Sequence, residues 1–229
     1  FQKISLLSQS NADSANVMLN DFLIKNPDQK WIGDIHYQIA LNLFKKKNYN
    51  DALSHLEKAL TFTTDKNTLE KALFLKIEVQ FFLFKKNEVV QSAKEYINTY
   101  PRSNIRDEAL FKLAVSYYNL NYPDSAKIYL NELVTKYPNS AKIGMTNYYL
   151  GEIDLAQSKY SSAKIYFDKA LTGISDQGVI HLRLSYIEYL RKNYSSAKEI
   201  LNNVPEDESY SFDKYLLKGN ISFAEKNFN

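Results

Sequence analysis

The 229 residues contain no cysteine, which excludes disulfides, thiol chemistry and cysteine-ligated metal. Glycine (six) and proline (five) are scarce, so the chain has few means of making tight turns and should consist of helices joined by short loops. No apolar run is long enough to cross a bilayer. A charge excess is missing as well. The 29 basic residues stand against 26 acidic ones, and a net charge of +3 is too balanced for the electrostatic footprint of a nucleic-acid or membrane-surface binder.

Catalytic signatures are equally absent from the sequence. The histidines His36, His55 and His181 are too scattered for HExxH or another local metal motif, and they read as core histidines with satisfied partners. There is no P-loop, GxSxG or GxGxxG. Glu152 and Asp154 lie two apart on a predicted helix, point in different directions and make a poor acid–base pair. Glu206-Asp207-Glu208 reads as a solvated loop after Pro205. The sequence therefore gives no catalytic residue, no metal ligand and no cofactor.

What is present is repetition. Small residues recur at Ala15, Ala52, Val89, Ala126 and Ala163 in steps of 37, and then at Ala197 after 34. Four residues beyond them stand Leu19, Leu56, Ala93, Leu130, Phe167 and Leu201, and three further on Phe22, Ala59, Tyr96, Leu133, Ala170 and Val204. The i, i+4, i+7 spacing puts each set on one helical face. Twelve residues before the small positions come Ala40, Ile77, Ala114, Gly151 and Ser185, preceded by Ile39, Lys76, Leu113, Leu150 and Leu184. A large–small pair on one helix facing a small–large–small series on the next is what two closely packed antiparallel helices need. The stretch 148–171 carries the pattern best, and Lys76-Ile77 departs from it.

Prolines close the second helices at Pro27, Pro101 and Pro138, with Thr64 where a fourth would fall. Ser103 and Ser140 read as N-caps of the helices that follow, lengthened by about one turn through three extra residues. Residues 1–9 read as the tail of a first helix and 218–228 as another first helix without its partner, giving thirteen helices in all. The start at Phe1-Gln2-Lys3, without a signal peptide, reads as a piece of something longer. Such open ends raise the expectation of self-association.

These residues resemble the tetratricopeptide repeat, a helix–turn–helix unit, over nearly the whole chain. The resemblance implies an all-α, right-handed solenoid of stacked antiparallel helix pairs across residues 1–229. It also implies a non-catalytic scaffold for a protein or peptide partner. In that family the groove is lined by first helices. By position it would hold Tyr37, Phe74, Phe111 and Tyr148 in one row and Phe81, Tyr118 and Tyr189 in another, with Phe82 and Tyr186 beside them. Phe82, Tyr186 and Tyr189 are the members expected to be exposed. Packing between neighbouring helices is the alternative for the rest. The family's carboxylate clamp uses Lys and Asn where this chain has aromatics or Leu, so a clamp is not expected. RNA-reading relatives use polar side chains at such sites, so nucleic acid is not an expected partner either.

Tyr100-Pro101-Arg102-Ser103 and Tyr137-Pro138-Asn139-Ser140 look like the repeat ends of bacterial envelope proteins of the outer-membrane-assembly and Tol–Pal-associated kinds. That likeness implies a periplasmic or envelope scaffold in outer-membrane biogenesis, secretion or flagellar assembly. A cytoplasmic adaptor, or the substrate-recruiting arm of an enzyme, is the rival expectation.

Overall fold

A computed structural model describes residues 12–26 and 31–228. The expected helix tail at 1–9 and the closing Pro27 lie outside these residues. The chain divides into two compact units, Phe1–Tyr122 and Pro123–Asn229. Among the described residues there are twelve helices and no strand. The first unit contains α1 (Ala12–Lys25), α2 (Ile32–Lys45), α3 (Tyr49–Phe62), α4 (Lys66–Phe82), α5 (Lys86–Thr99) and α6 (Arg106–Asn119). The second contains α7 (Pro123–Lys136), α8 (Ile143–Ala156), α9 (Tyr160–Ala170), α10 (Gly178–Leu190), α11 (Tyr194–Leu201) and α12 (Glu208–Phe228). They follow the expected order, with α2, α4, α6, α8, α10 and α12 as first helices.

Within each unit, the seam of a helix pair is built from the recurring residues. Ala40, Leu56, Ile77, Ala93 and Phe167 are fully buried, as are the small residues of the second helices. Gly151 shows why size matters here. A Cβ built on it would meet the Phe167 ring at 2.8 Å. The apparent defect at Lys76-Ile77 is a size exchange. Ile77 stands where Gly151 does, but its counterpart across the seam is Ala93, where Gly151 faces Phe167, so the combined volume is kept.

Each pair turns the same way. Among the described residues, Lys47, Phe84, Asn121, Ser158 and Lys192 have positive φ between 55° and 64°, at one recurring position of the repeat, and none is glycine. The next residue's N–H then bonds a carbonyl five residues back: Asn48 to Leu43, Lys85 to Gln80, Tyr122 to Tyr117, Lys159 to Asp154 and Asn193 to Glu188, at 2.8–2.9 Å. This is a Schellman closure, which satisfies carbonyls that the helix end leaves over.

The three extra residues behave differently from expectation. Only α4 is lengthened, to 17 residues, whereas α2, α6 and α8 have 14. Where Thr64-Asp65 replaces the Pro-x-Ser sequence, the Asp65 carboxylate accepts the Thr68 N–H at 2.8 Å and caps the longer helix. After Pro101 and Pro138 the residues form a turn. Ser103 Oγ accepts the Ile105 N–H at 3.3 Å and Ser140 Oγ that of Lys142 at 3.1 Å, so both serines cap the turn and not the helix.

At the far end, α12 runs over 21 residues from Glu208, ten before the expected start. Asp207 accepts the Ser209 N–H at 2.8 Å, so an acidic stretch expected to be loop starts a helix.

Candidate functional site

First helices place their aromatics along one face, and the structure separates those expected to be exposed from those that are packed. Phe82 and Tyr186 are exposed, at 48% and 41%. Tyr189 is only half-buried, because its ring lies 6.2 Å from both Tyr186 and Tyr194. Tyr37, Phe74, Phe81, Phe111, Tyr118 and Tyr148 are half-buried too. Tyr148 meets Phe167 edge-on at 5.9 Å, and Phe82 stacks on Tyr49 at 5.1 Å.

Charges that the sequence pattern did not mark sit among these rings. In the first unit, Lys112 is buried, lies 3.4 Å from Glu78 and places its ammonium 5.8 Å from the Phe74 ring and 5.6 Å from that of Phe81. Burial and the Glu78 charge push the Tyr37 hydroxyl above its usual pKa. In the second unit the same repeat positions hold Glu152 and Arg183, paired at 2.7 Å. Burial by itself would lower the Arg183 pKa, but the Glu152 hydrogen bond and charge outweigh it and raise it. An acid on one first helix thus meets a base on the next in both units. The signal available in the sequence was the shared register of these four residues, two repeats apart. Asp154 turns away from Glu152 to Lys127, at 2.5 Å, which agrees with the divergence expected of the two carboxylates.

Each unit also carries a cleft. The first, of about 540 Å³, is lined by Trp31, Asp34, Tyr37, Gln38, Thr63, Thr64, Asp65, Thr68 and Lys71. Thr63 Oγ1 donates to Asp34 at 3.3 Å, and the Thr68 N–H holds the Asp65 carboxyl below its ordinary range. The second, of about 350 Å³, lies in the other unit among Leu182, Arg183, Tyr186, Asp213, Leu216, Leu217 and Asn220. Of the expected groove residues, Tyr37 thus lines one cleft and Tyr186 the other.

The histidines do not make a metal centre. No group of three or more His, Asp or Glu side chains suited to a metal ion occurs among the described residues. His36 and His55 nevertheless meet, Nδ1 to Nδ1, at 2.9 Å across α2 and α3, a contact their separation in sequence concealed. His181 is half-buried, short of the core position expected for it. No described helix is long and apolar enough to cross a membrane.

Antiparallel helix pairs in fixed register, with aromatic and charged side chains along one face, define a helical-repeat fold of the protein-interaction class. Two segments, residues 33–65 and 108–140, match family models of the tetratricopeptide repeat. The chain therefore carries tetratricopeptide repeats. Solved structures of similar fold include a tetratricopeptide-repeat protein from Parabacteroides merdae, at 14% identity and TM-score 0.69, covering 98% of this chain and 86% of that one. PilF of Pseudomonas aeruginosa is similar at 16% identity and TM-score 0.71, over 95% of this chain and 96% of its own. YrrB, described as having an unusual peptide-binding site, is similar at 14% identity and TM-score 0.66, over 88% and 97%. At these identities the likeness is one of fold. No curated protein sequence matches the chain.

Proposed function

We propose that this protein is a non-catalytic scaffold whose first-helix faces hold a segment of another protein, with the Trp31–Tyr37 cleft anchoring a basic side chain of that segment. The lining of the cleft carries the reading. Among the described residues, two aromatic rings and the carboxylates of Asp34 and Asp65 surround a space of about 540 Å³, with Lys71 as the one cation of that lining. Aromatic faces attract cations and carboxylates pair with them, so a Lys or Arg beside an apolar residue is the matching chemistry. The peptide-binding site named for YrrB supports a peptide as the class of ligand.

Trp31 is the only tryptophan, which makes its emission a private reporter of this cleft. Titrating short peptides with one Arg or Lys next to an aromatic residue should shift that emission saturably. Asp34→Asn with Asp65→Asn should weaken binding about tenfold, the loss of about 1.4 kcal/mol. Binding that leaves the emission unmoved, or that ignores both substitutions, would overturn the assignment.

The Tyr-Pro-x-Ser repeat ends support a bacterial envelope setting, in which the scaffold would organise a multiprotein assembly. Recovery of the full-length protein in the periplasmic or membrane fraction is expected, and recovery in the cytoplasm would refute this part.

A further inference from the structure

In the first unit, the turns that join a first helix to its second helix lie at one edge, because the helices alternate in direction. Residues 44–49 carry the chain from α2 to α3 and residues 81–86 from α4 to α5, and residues 118–122 end α6 at the same edge. These segments are neighbours in space. The Phe82 ring lies 5.7 Å from that of Phe44 and stacks on Tyr49, and the Lys86 ammonium donates to the Asn119 carbonyl at 3.0 Å. Together they hold five lysines and no acid. Lys45, Lys46 and Lys47 are exposed, while Lys85 and Lys86 are half-buried. Asp51 and Glu88 stand behind the edge, in the first turns of α3 and α5, and Asp51 already accepts from Asn48 Nδ2 at 2.7 Å. The balanced charge of the whole chain conceals this local excess.

Phe84 stands at the tip of the middle turn, 82% exposed and with φ at 55°. A bulky residue is an outlier in that backbone region, and the unit's other turns place Lys47 and Asn121 there. Neither burial nor backbone preference accounts for a phenylalanine at this point. Phe82, on the same turn, and Tyr122, on the next segment, are 48% and 58% exposed. We infer that this edge of the first unit rests on an anionic membrane surface, with its lysines against lipid phosphates and the Phe84 ring in the interfacial layer. The combination of side chains selects the partner, since lysines are drawn to anionic headgroups and aromatic rings settle at headgroup depth. The recess beside Phe84 holds about 40 Å³, little more than the volume of one water molecule, so the ring projects and must enter its partner. A lipid surface admits a projecting ring without a matching cavity, whereas a folded acidic protein would have to supply one. The Trp31 cleft is formed at the other end of these helices, by the start of α2 and the α3–α4 connection, so the two readings stand apart.

Co-flotation of the full chain with vesicles of equal parts phosphatidylglycerol and phosphatidylcholine should show saturable binding at low salt, and pure phosphatidylcholine vesicles should show none. Phe84→Asn, which installs the residue that Asn121 provides at the same place, should weaken the binding about tenfold. It relieves a disfavoured backbone position, so the melting temperature should be undiminished. Lys45→Gln with Lys47→Gln should weaken the binding by about fivefold for each lysine removed. No binding to the anionic vesicles, equal binding to the neutral ones, or binding that survives both sets of substitutions would overturn the inference. So would capture, through the same residues, of polyglutamate or oligothymidylate in place of vesicles, which would assign the edge to an acidic protein or a nucleic acid.

Discussion

Gly151 with Phe167, and Ile77 with Ala93, are two solutions to one packing problem, and they can be exchanged. Gly151→Ile alone forces a branched side chain against the Phe167 ring and should cost about 1–3 kcal/mol. Phe167→Ala alone leaves a cavity and should cost about 3–5 kcal/mol. The double variant recreates the Ile77–Ala93 arrangement and should recover much of both losses, giving a strong favourable coupling in urea denaturation. Strictly additive losses would show that the two residues do not share a seam. The sequence displayed all four residues at helical spacing, but it compared each position with its own column. The compensation lies between columns and becomes visible only when the helices face one another. Exposure was legible in the same partial way. Phe82 and Tyr186 stand out as expected, whereas Tyr189 is drawn in by the neighbouring rings of Tyr186 and Tyr194.

Helices are more legible in the sequence than their starts. Apolar spacing sets the course of α6 and α8, but Pro101 and Pro138 hold the next residues in a capped turn, and only the Asp65 cap lets α4 begin earlier. Contacts between helices were not legible, and the His36–His55 pair is the clearest instance. Burial first, then the charges of His55 and Lys58, lowers the His36 pKa from 6.5 to about 4. Burial and Lys58 lower that of His55, with Asp51 opposing. Both rings are therefore neutral in the folded protein at neutral pH. Between pH 6.5 and about 4 the unfolded chain binds more protons than the folded one, so stability must fall as the pH falls through that window. The melting temperature should decline already between pH 6.5 and 5, above the range of ordinary carboxylates. His36→Leu should flatten that decline, and an unchanged slope would remove the pair from the account.

On the scale of the molecule, each unit is a row of helix pairs in which a pair rests on its neighbours, so local interfaces set its stability. The repeat frame was fully legible because one period governs both turns and seams. The ladder of acids and bases on the first helices was not, since Glu78, Lys112, Glu152 and Arg183 are four among 55 Asp, Glu, Lys and Arg residues and nothing local distinguishes them. The recurring positive-φ turns carry a further consequence, which concerns the order of events in folding. A left-handed residue other than glycine is disfavoured by about 1 kcal/mol in a free chain. A hairpin turn occupied by Phe84, 82% exposed and at φ 55°, cannot start its own helix pair. The seams must dock first and the turns close afterwards. Phe84→Gly should consequently slow unfolding about fivefold, for about 1 kcal/mol of added stability, and leave the folding rate unchanged in stopped-flow measurements. Faster folding would place the turn in the nucleus. In these units the helices bring the turns into being, and the turns then act as latches that delay release.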